Sequence, residues 1–221
     1  MKKHFLTLML AALLLSGCAS DPEAGKSSSV YLTSMDTVMQ LTAYGRGRDA
    51  ALAEAQAEIQ RLDALLSTGS AHSEVSQLNA QGSLVLSQDT GDLLQEALTL
   101  AQDTDGLFDI TVYPVVKLWG FYDKTYHVPT EAELTSAMAL VDYQQVGYNG
   151  ETRTATLGQG QSIDLGGIGK GYTSQRVTDI LKTAGIQSAM VSLGGNVQCL
   201  GTKPDGTPWS IGIRDPWNSQ S

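Results

Sequence analysis

Four glycines fall within six residues in Asp164-Leu165-Gly166-Gly167-Ile168-Gly169-Lys170-Gly171-Tyr172. The run sits between an apolar, strand-like piece and a helical pattern that is expected to start near Tyr172 and stop at Gly185. Glycine lets bare backbone N–H groups approach a ligand with no Cβ in the way. A helix beginning there aims its positive end at the loop and favours phosphate, and Lys170 adds a mobile point charge. A tight strand-to-helix turn that binds nothing is the competing reading. The run fits neither common nucleotide fingerprint. A P-loop needs glycine five residues before Gly169 and Ser or Thr after the lysine, where Asp164 and Gly171 stand. A G-x-G-x-x-G match fails because Tyr172 takes the last glycine position.

The amino terminus addresses the chain for export. Met1-Lys2-Lys3-His4 is a positive leader, and Phe5 to Leu15 is an apolar stretch too short to span a bilayer. Leu15-Ser16-Gly17-Cys18 resembles the bacterial lipobox, in which the cysteine is lipidated. Residues 1–17 are therefore expected to be a lipoprotein signal peptide, with Cys18 the anchored first mature residue. Residues 18–29 form a polar, Ser-rich tether, and 30–221 a single domain. An ordinary cleaved signal is the alternative. With Cys18 lipidated, Cys199 has no intrachain disulfide partner.

The chain has 14 Lys plus Arg against 23 Asp plus Glu, a formal charge of −9; losing the two leader lysines leaves 12 against 23, or −11. Such a surface argues against nucleic acid, whose phosphates need a basic face. It argues equally against electrostatic adhesion to anionic lipid.

Periodicity gives a mixed chain. Val38 to Tyr44 reads as a strand. Asp49 to Leu66 reads as a helix with Leu52, Ala55, Ile59, Leu62 and Leu66 on one face. A second helix is expected from about Thr90 to Thr104, and Thr130-Glu131-Ala132-Glu133 fits a capping box. Asn149-Gly150 suggests a hairpin turn before a strand at Arg153 to Leu157. Further strands are expected at Ser162 to Leu165, Ser188 to Leu193, Gln198 to Leu200 and Trp209 to Arg214, with a turn at Pro204-Asp205-Gly206. The order predicts an α+β domain with a largely antiparallel sheet and packed helices.

Phe108-Asp109-Ile110-Thr111 offers a carboxylate and a ring to a heterocycle, or simply a capped turn. Trp119-Gly120-Phe121-Tyr122 is an aromatic cluster of the kind that usually builds core. Ser73-Glu74 with Asn79 reads as a solvated turn. His4, His72 and His127 lack ligand spacing, and no Gly-x-Ser-x-Gly elbow occurs. Several aspartates could hold Mg2+ through oxygen, but spacing singles none out.

In order, these blocks resemble the FAD:protein FMN transferase (ApbE) family. Met35-Asp36-Thr37 is similar to its Met-Gly-Thr, and Leu66-Ser67-Thr68 with Ser73 to Asn79 to its post-helix segment. Thr104 to Thr111 resembles T-x-G-x-F-D-I-T, Leu118-Trp119-Gly120-Phe121 resembles L-W-G-F, and Asp164 to Tyr172 resembles D-L-G-G-I-A-K-G-Y. Gly194-Gly195-Asn196 and Trp209 to Pro216 resemble later blocks.

The resemblance implies Mg2+-dependent transfer of FMN from FAD to a threonine or serine hydroxyl of a target flavoprotein, with release of AMP. The target would be a redox subunit of Rnf or Nqr type. FAD binding or hydrolysis without flavinylation is the alternative. The resemblance places Met35, Gly69, Leu107, Phe108, Asp109, Gly166 and Tyr172 at flavin-nucleotide positions, and the Gly169 carbonyl at the metal. Gly69 stands where the family often has an aromatic residue. The family pattern continues past Ser221 with a His-containing block and the metal carboxylates, so the domain is expected to be incomplete at its carboxyl end, and no catalytic residue carries over.

Overall fold

The first two strands are joined with only two residues between them. In the computed structural model, which describes residues 22–121, 124–213 and 215–217, β1 (Ser27–Ser34) pairs antiparallel with β2 (Thr37–Tyr44). The register runs to Ser34 opposite Thr37, so Met35 and Asp36 make the turn, at φ 48° and 56°. Positive φ at both central residues is the turn geometry that matches strand twist, and it is strained for anything but glycine or asparagine. β1 opens at Ser27, inside the stretch expected as a tether, because its residues find a ladder on β2. The signal segment and Cys18 lie outside the described residues.

Helix α1 (Arg48–Leu66) follows, and all five residues of the predicted apolar stripe are buried. Full burial of each of its large aliphatic side chains contributes about 1.5–3 kcal/mol. Next come α2 (Glu74–Gln81), β3 (Ser83–Val85) and α3 (Gln88–Asp103). α2 corrects the solvated-turn reading: Ser73 caps it, accepting from the Ser76 amide, and Val75 and Leu78 are buried. A 3-10 turn at Ile110–Val112 leads into α4 (Tyr113–Leu118), and α5 (Glu131–Met138) starts at the predicted capping box, with both of its bonds formed. After a 3-10 turn at Tyr143–Gln145, β4 (Gly147–Asn149) and β5 (Thr154–Thr156) form a hairpin, with the Asn149 side chain accepting from the amides of Glu151 and Thr152. The chain continues through α6 (Gly166–Thr183), β6 (Ala189–Leu193) and β7 (Asn196–Leu200).

Two antiparallel sheets result, in the orders β1-β2-β6-β7 and β3-β5-β4. The first packs with α1 and α6 around Met39, Leu41, Leu52, Ile59, Val177 and Leu181. The second core gathers Leu62, Leu78, Leu93, Leu94, Ile110 and Ile163. Met35 packs against both clusters, which puts the hairpin turn at their junction.

Two predicted strands have no ladder. Ser162 to Leu165 and Trp209 to Ile213 carry no strand assignment, and Arg214 lies outside the described residues. Trp209 instead rests its ring against Tyr44, with centroids 6.1 Å apart. The Pro204-Asp205-Gly206 turn forms as expected, with Gly206 at φ 83° and its amide on the Lys203 carbonyl. Among the described residues, no helix is long and apolar enough to cross a membrane.

Candidate functional site

The glycine run is not a loop. α6 begins at Gly166, six residues before the expected start, so all four glycines lie in its first turns. Glycine disfavours a helix by roughly 1 kcal/mol per residue against alanine. Burial of Gly169, Thr173, Ser174, Val177, Thr178 and Leu181 along the same helix outweighs that cost. The first amides are largely occupied: Gly166 N donates to Asp164 Oδ1 at 2.6 Å, and Ile168 N and Gly169 N donate to the Leu165 carbonyl at 3.1 and 2.8 Å. A carboxylate therefore already sits at the positive end of the helix. The expected bare-amide phosphate cradle is replaced by a glycine-walled helix start capped by Asp164.

Beside that wall is a cavity of about 200 Å3, lined by Met35, Asp36, Asp63, Leu66, Ser67, Thr68, Asp164, Leu165, Gly166, Gly169 and Lys170. Asp63, on α1, builds the opposite side. Its Oδ2 accepts from the Ser34 hydroxyl at 2.7 Å and from the Met35 amide at 3.1 Å, holding the strained turn over the cavity. Sequence reasoning missed Asp63, although it stands four residues after Ile59 and three before Leu66, inside the apolar stripe of α1. A carboxylate at such a position has work to do on a neighbouring element. Three aspartates and one lysine leave the cavity net negative.

Of the residues expected at the flavin nucleotide, Met35 and Gly166 meet here, together with Gly169. Gly69 lies just outside, exposed, its amide on Ser67 Oγ at 3.0 Å. Phe108 reaches the helix start from the other side: a Cβ on Gly167 would stand 3.1 Å from Phe108 Cε2. Leu107 beside it is 93% exposed. Asp109 faces inward and caps the 3-10 turn. Its Oδ1 accepts from the Thr111 amide and hydroxyl at 2.8 and 2.6 Å, and its Oδ2 from the Tyr143 amide at 2.9 Å. The capped-turn alternative is thus the one realised for Asp109.

Tyr172 turns away from the cavity to Asp89 on α3, donating to Oδ1 at 2.9 Å. Asp89 accepts from Arg61 at 2.7 Å, Arg61 clasps Glu58 with two 2.8 Å bonds, and Arg176 reaches Glu58 at 3.4 Å. Burial, then the bond to Asp89, pushes the Tyr172 phenol well above its ordinary range. Burial pushes the Asp89 carboxyl up, but Arg61 and Tyr172 outweigh it and hold it below the usual value. Arg61 does the same for Glu58 against a smaller burial effect.

The residues present do not complete a Mg2+ site. Among the described residues, no three acidic, histidine or cysteine side chains converge on one point. Asp63 and Asp164 are engaged as above, and the Gly169 carbonyl accepts from the Thr173 hydroxyl at 2.8 Å. At about 200 Å3 the cavity is also below the ~300–1,000 Å3 usual for whole ligands.

The class of protein that the structure defines is an antiparallel α+β domain with packed helices and a glycine-walled cavity at the junction of its cores. The chain belongs to the ApbE family, whose model matches residues 35–221. It is 30% identical to an FAD:protein FMN transferase of Vibrio cholerae, over 97% of this chain and 66% of that one. It is 31% identical to one of Salmonella typhimurium, over 96% and 65%. Among solved structures, it superposes on the ApbE protein of Thermotoga maritima with a TM-score of 0.83 at 26% identity, covering 88% of this chain and 65% of that one. The flavin transferase ApbE of Vibrio cholerae gives 0.78 at 28%, covering 86% and 65%. The chain spans about two thirds of the length of the curated relatives it matches.

Proposed function

We propose that this chain carries the flavin-nucleotide part of a lipid-anchored FAD:protein FMN transferase. The reaction is attack by a threonine or serine hydroxyl of a target flavoprotein on the FMN phosphorus of FAD. The new bond is P–O to the hydroxyl oxygen, the broken bond is the pyrophosphate P–O, AMP leaves, and the hydroxyl proton passes to solvent. The observation that carries this reading is the family match over residues 35–221, with Met35, Gly166 and Gly169 meeting at one cavity.

The electrostatics are consistent with a metal-assisted reaction. A pyrophosphate entering a cavity walled by Asp36, Asp63 and Asp164 meets repulsion that Lys170 alone does not cancel. A bound Mg2+ would supply the missing positive charge and polarise the phosphorus. The described residues contribute a close-approach wall at Gly166 and Gly169, the Lys170 charge, and a hairpin turn fixed by Asp63.

The test uses the full-length gene product with FAD, Mg2+ and a flavoprotein domain bearing an acceptor threonine or serine, for which an Rnf- or Nqr-type subunit is the first choice. AMP release with a fluorescent, covalently flavinylated acceptor is the expected result. AMP without a flavinylated acceptor would make it a hydrolase, and retained FAD without AMP a carrier.

A further inference from the structure

The segment that delivers the chain into α6 is tied to α2 by one side chain. Ser162 to Leu165 belongs to no sheet, yet Ile163 is buried and its backbone must be paired. Asn79 on α2, 84 residues away in sequence, supplies both partners. Its Oδ1 accepts from the Ile163 amide at 2.7 Å, and its Nδ2 donates to the Ile163 carbonyl at 2.8 Å. The next amide, that of Asp164, donates to the Ile110 carbonyl at 2.8 Å. The Asp164 carboxylate then caps Gly166. The chain of contacts thus runs from Asn79 through Ile163 and Asp164 to the glycine wall of the cavity.

We propose that Asn79 is a positioning residue for the nucleotide site: its carboxamide sets the register of Ile163 and Asp164, and so the placement of the start of α6 against Met35 and Asp63. This rests on the reading of that cavity as the flavin-nucleotide site. The amide is suited to the task because it offers one donor and one acceptor side by side, the pattern of a neighbouring strand. No aspartate at neutral pH can replace it, since a carboxylate only accepts and would confront the Ile163 carbonyl. A protonated aspartate can, having one O–H and one C=O.

That difference provides the experiment. Asn79→Asp and Asn79→Ala are made in the full-length protein. FAD affinity is measured by flavin fluorescence at pH 8 and pH 5, well below each melting midpoint, as a ratio to wild type. Titratable groups near position 79 are Glu74 on its own helix, which accepts from Ser87, then Asp164 and Asp109 on the adjoining segments, and Tyr113 and Lys117 in the wall of the neighbouring cavity. The wild-type ratio cancels their own titration. At pH 8 both variants should bind FAD about tenfold or more weakly. Facing the Ile163 carbonyl, the carboxyl introduced by Asn79→Asp should be raised above its ordinary value near 4, so at pH 5 this variant should recover part of the loss, while Asn79→Ala should not. Amide exchange in residues 162–166 should follow the same order, fast in both variants at pH 8 and slowed at pH 5 only in Asn79→Asp, each against wild type at the same pH. Wild-type affinity in Asn79→Asp at pH 8, or equal losses in both variants at both pH values, overturns the proposal. If even the wild type binds no FAD, the functional reading fails instead, and the exchange pattern alone decides the role of Asn79.

Discussion

Tyr172 donates its phenolic hydrogen to Asp89 Oδ1 across 2.9 Å, tying α6 to α3 a turn beyond the glycine wall. Around this bond, Glu58, Arg61, Asp89 and Arg176 join three helices through partly buried charges. Tyr172→Phe should lose about 1 kcal/mol, or roughly 2–4 °C in melting midpoint. Differential scanning calorimetry measures it. An unchanged midpoint would show that the bond contributes nothing net.

The same network sets an acid limb. Glu58 and Asp89 are both held below their ordinary carboxyl values in the folded protein. A depressed folded pKa means stability that is fully present above the unfolded value, near pH 4, and lost as pH falls through the folded one. Glu58→Gln and Asp89→Asn should therefore be less stable than wild type at pH 7, with the deficit narrowing below about pH 4. Urea melts at pH 7 and pH 3 measure it; an equal deficit at both would remove these carboxylates from the acid response.

Two glycines of α6 should respond differently to alanine. A Cβ on Gly171 meets nothing within 4 Å, so Gly171→Ala should stabilise by ~0.5–1 kcal/mol. A Cβ on Gly167 stands 3.1 Å from the Phe108 ring, so Gly167→Ala gains helix propensity but pushes the ring away. Its stability should change little while its affinity for FAD falls. Thermal melts paired with flavin titration separate the two, and equal behaviour of both variants would show that Phe108 has no part in flavin binding.

Asp36 sits at φ 56° in the turn between β1 and β2. Asp36→Gly removes that strain and one carboxylate from the cavity, and should stabilise by about 0.5 kcal/mol. A loss of stability would mean that Asp36 makes a contact worth more than the strain.

Cys18→Ala should abolish membrane partition of the exported product. Fractionation with mass analysis of the mature amino terminus decides it, and unchanged partition would remove the lipid anchor from the proposal.

Much of this fold can be read from residue spacing. The stripe Leu52, Ala55, Ile59, Leu62, Leu66 buries as its 3.6-residue period requires, and the capping box at Thr130 forms. Family-like motif order also pointed to the family that the comparisons show. The glycine run is not legible as a helix, because local propensity opposes one at Gly166 while tertiary burial of its far end decides the matter. The start of β1 leaves no trace, because Ser27 to Ser29 carry no apolar signal and depend on their partners in β2. The pairing of Asn79 with Ile163 had no local trace, since 84 residues separate the two. Asp63 did leave one, as a carboxylate in an apolar stripe.

The central pairing of the larger sheet joins Met39 to Leu193 and Ala43 to Ala189, strands from opposite ends of the described chain. Such distant closure carries a loop-entropy cost that local helices and hairpins do not. The hairpin that carries Met35 is local, whereas the helix start that faces it comes from the far part of the chain. The cavity is therefore built by long-range closure and not by any one local element. On the proposed function, FAD would find its site only on the closed fold and would stabilise that fold by mass action.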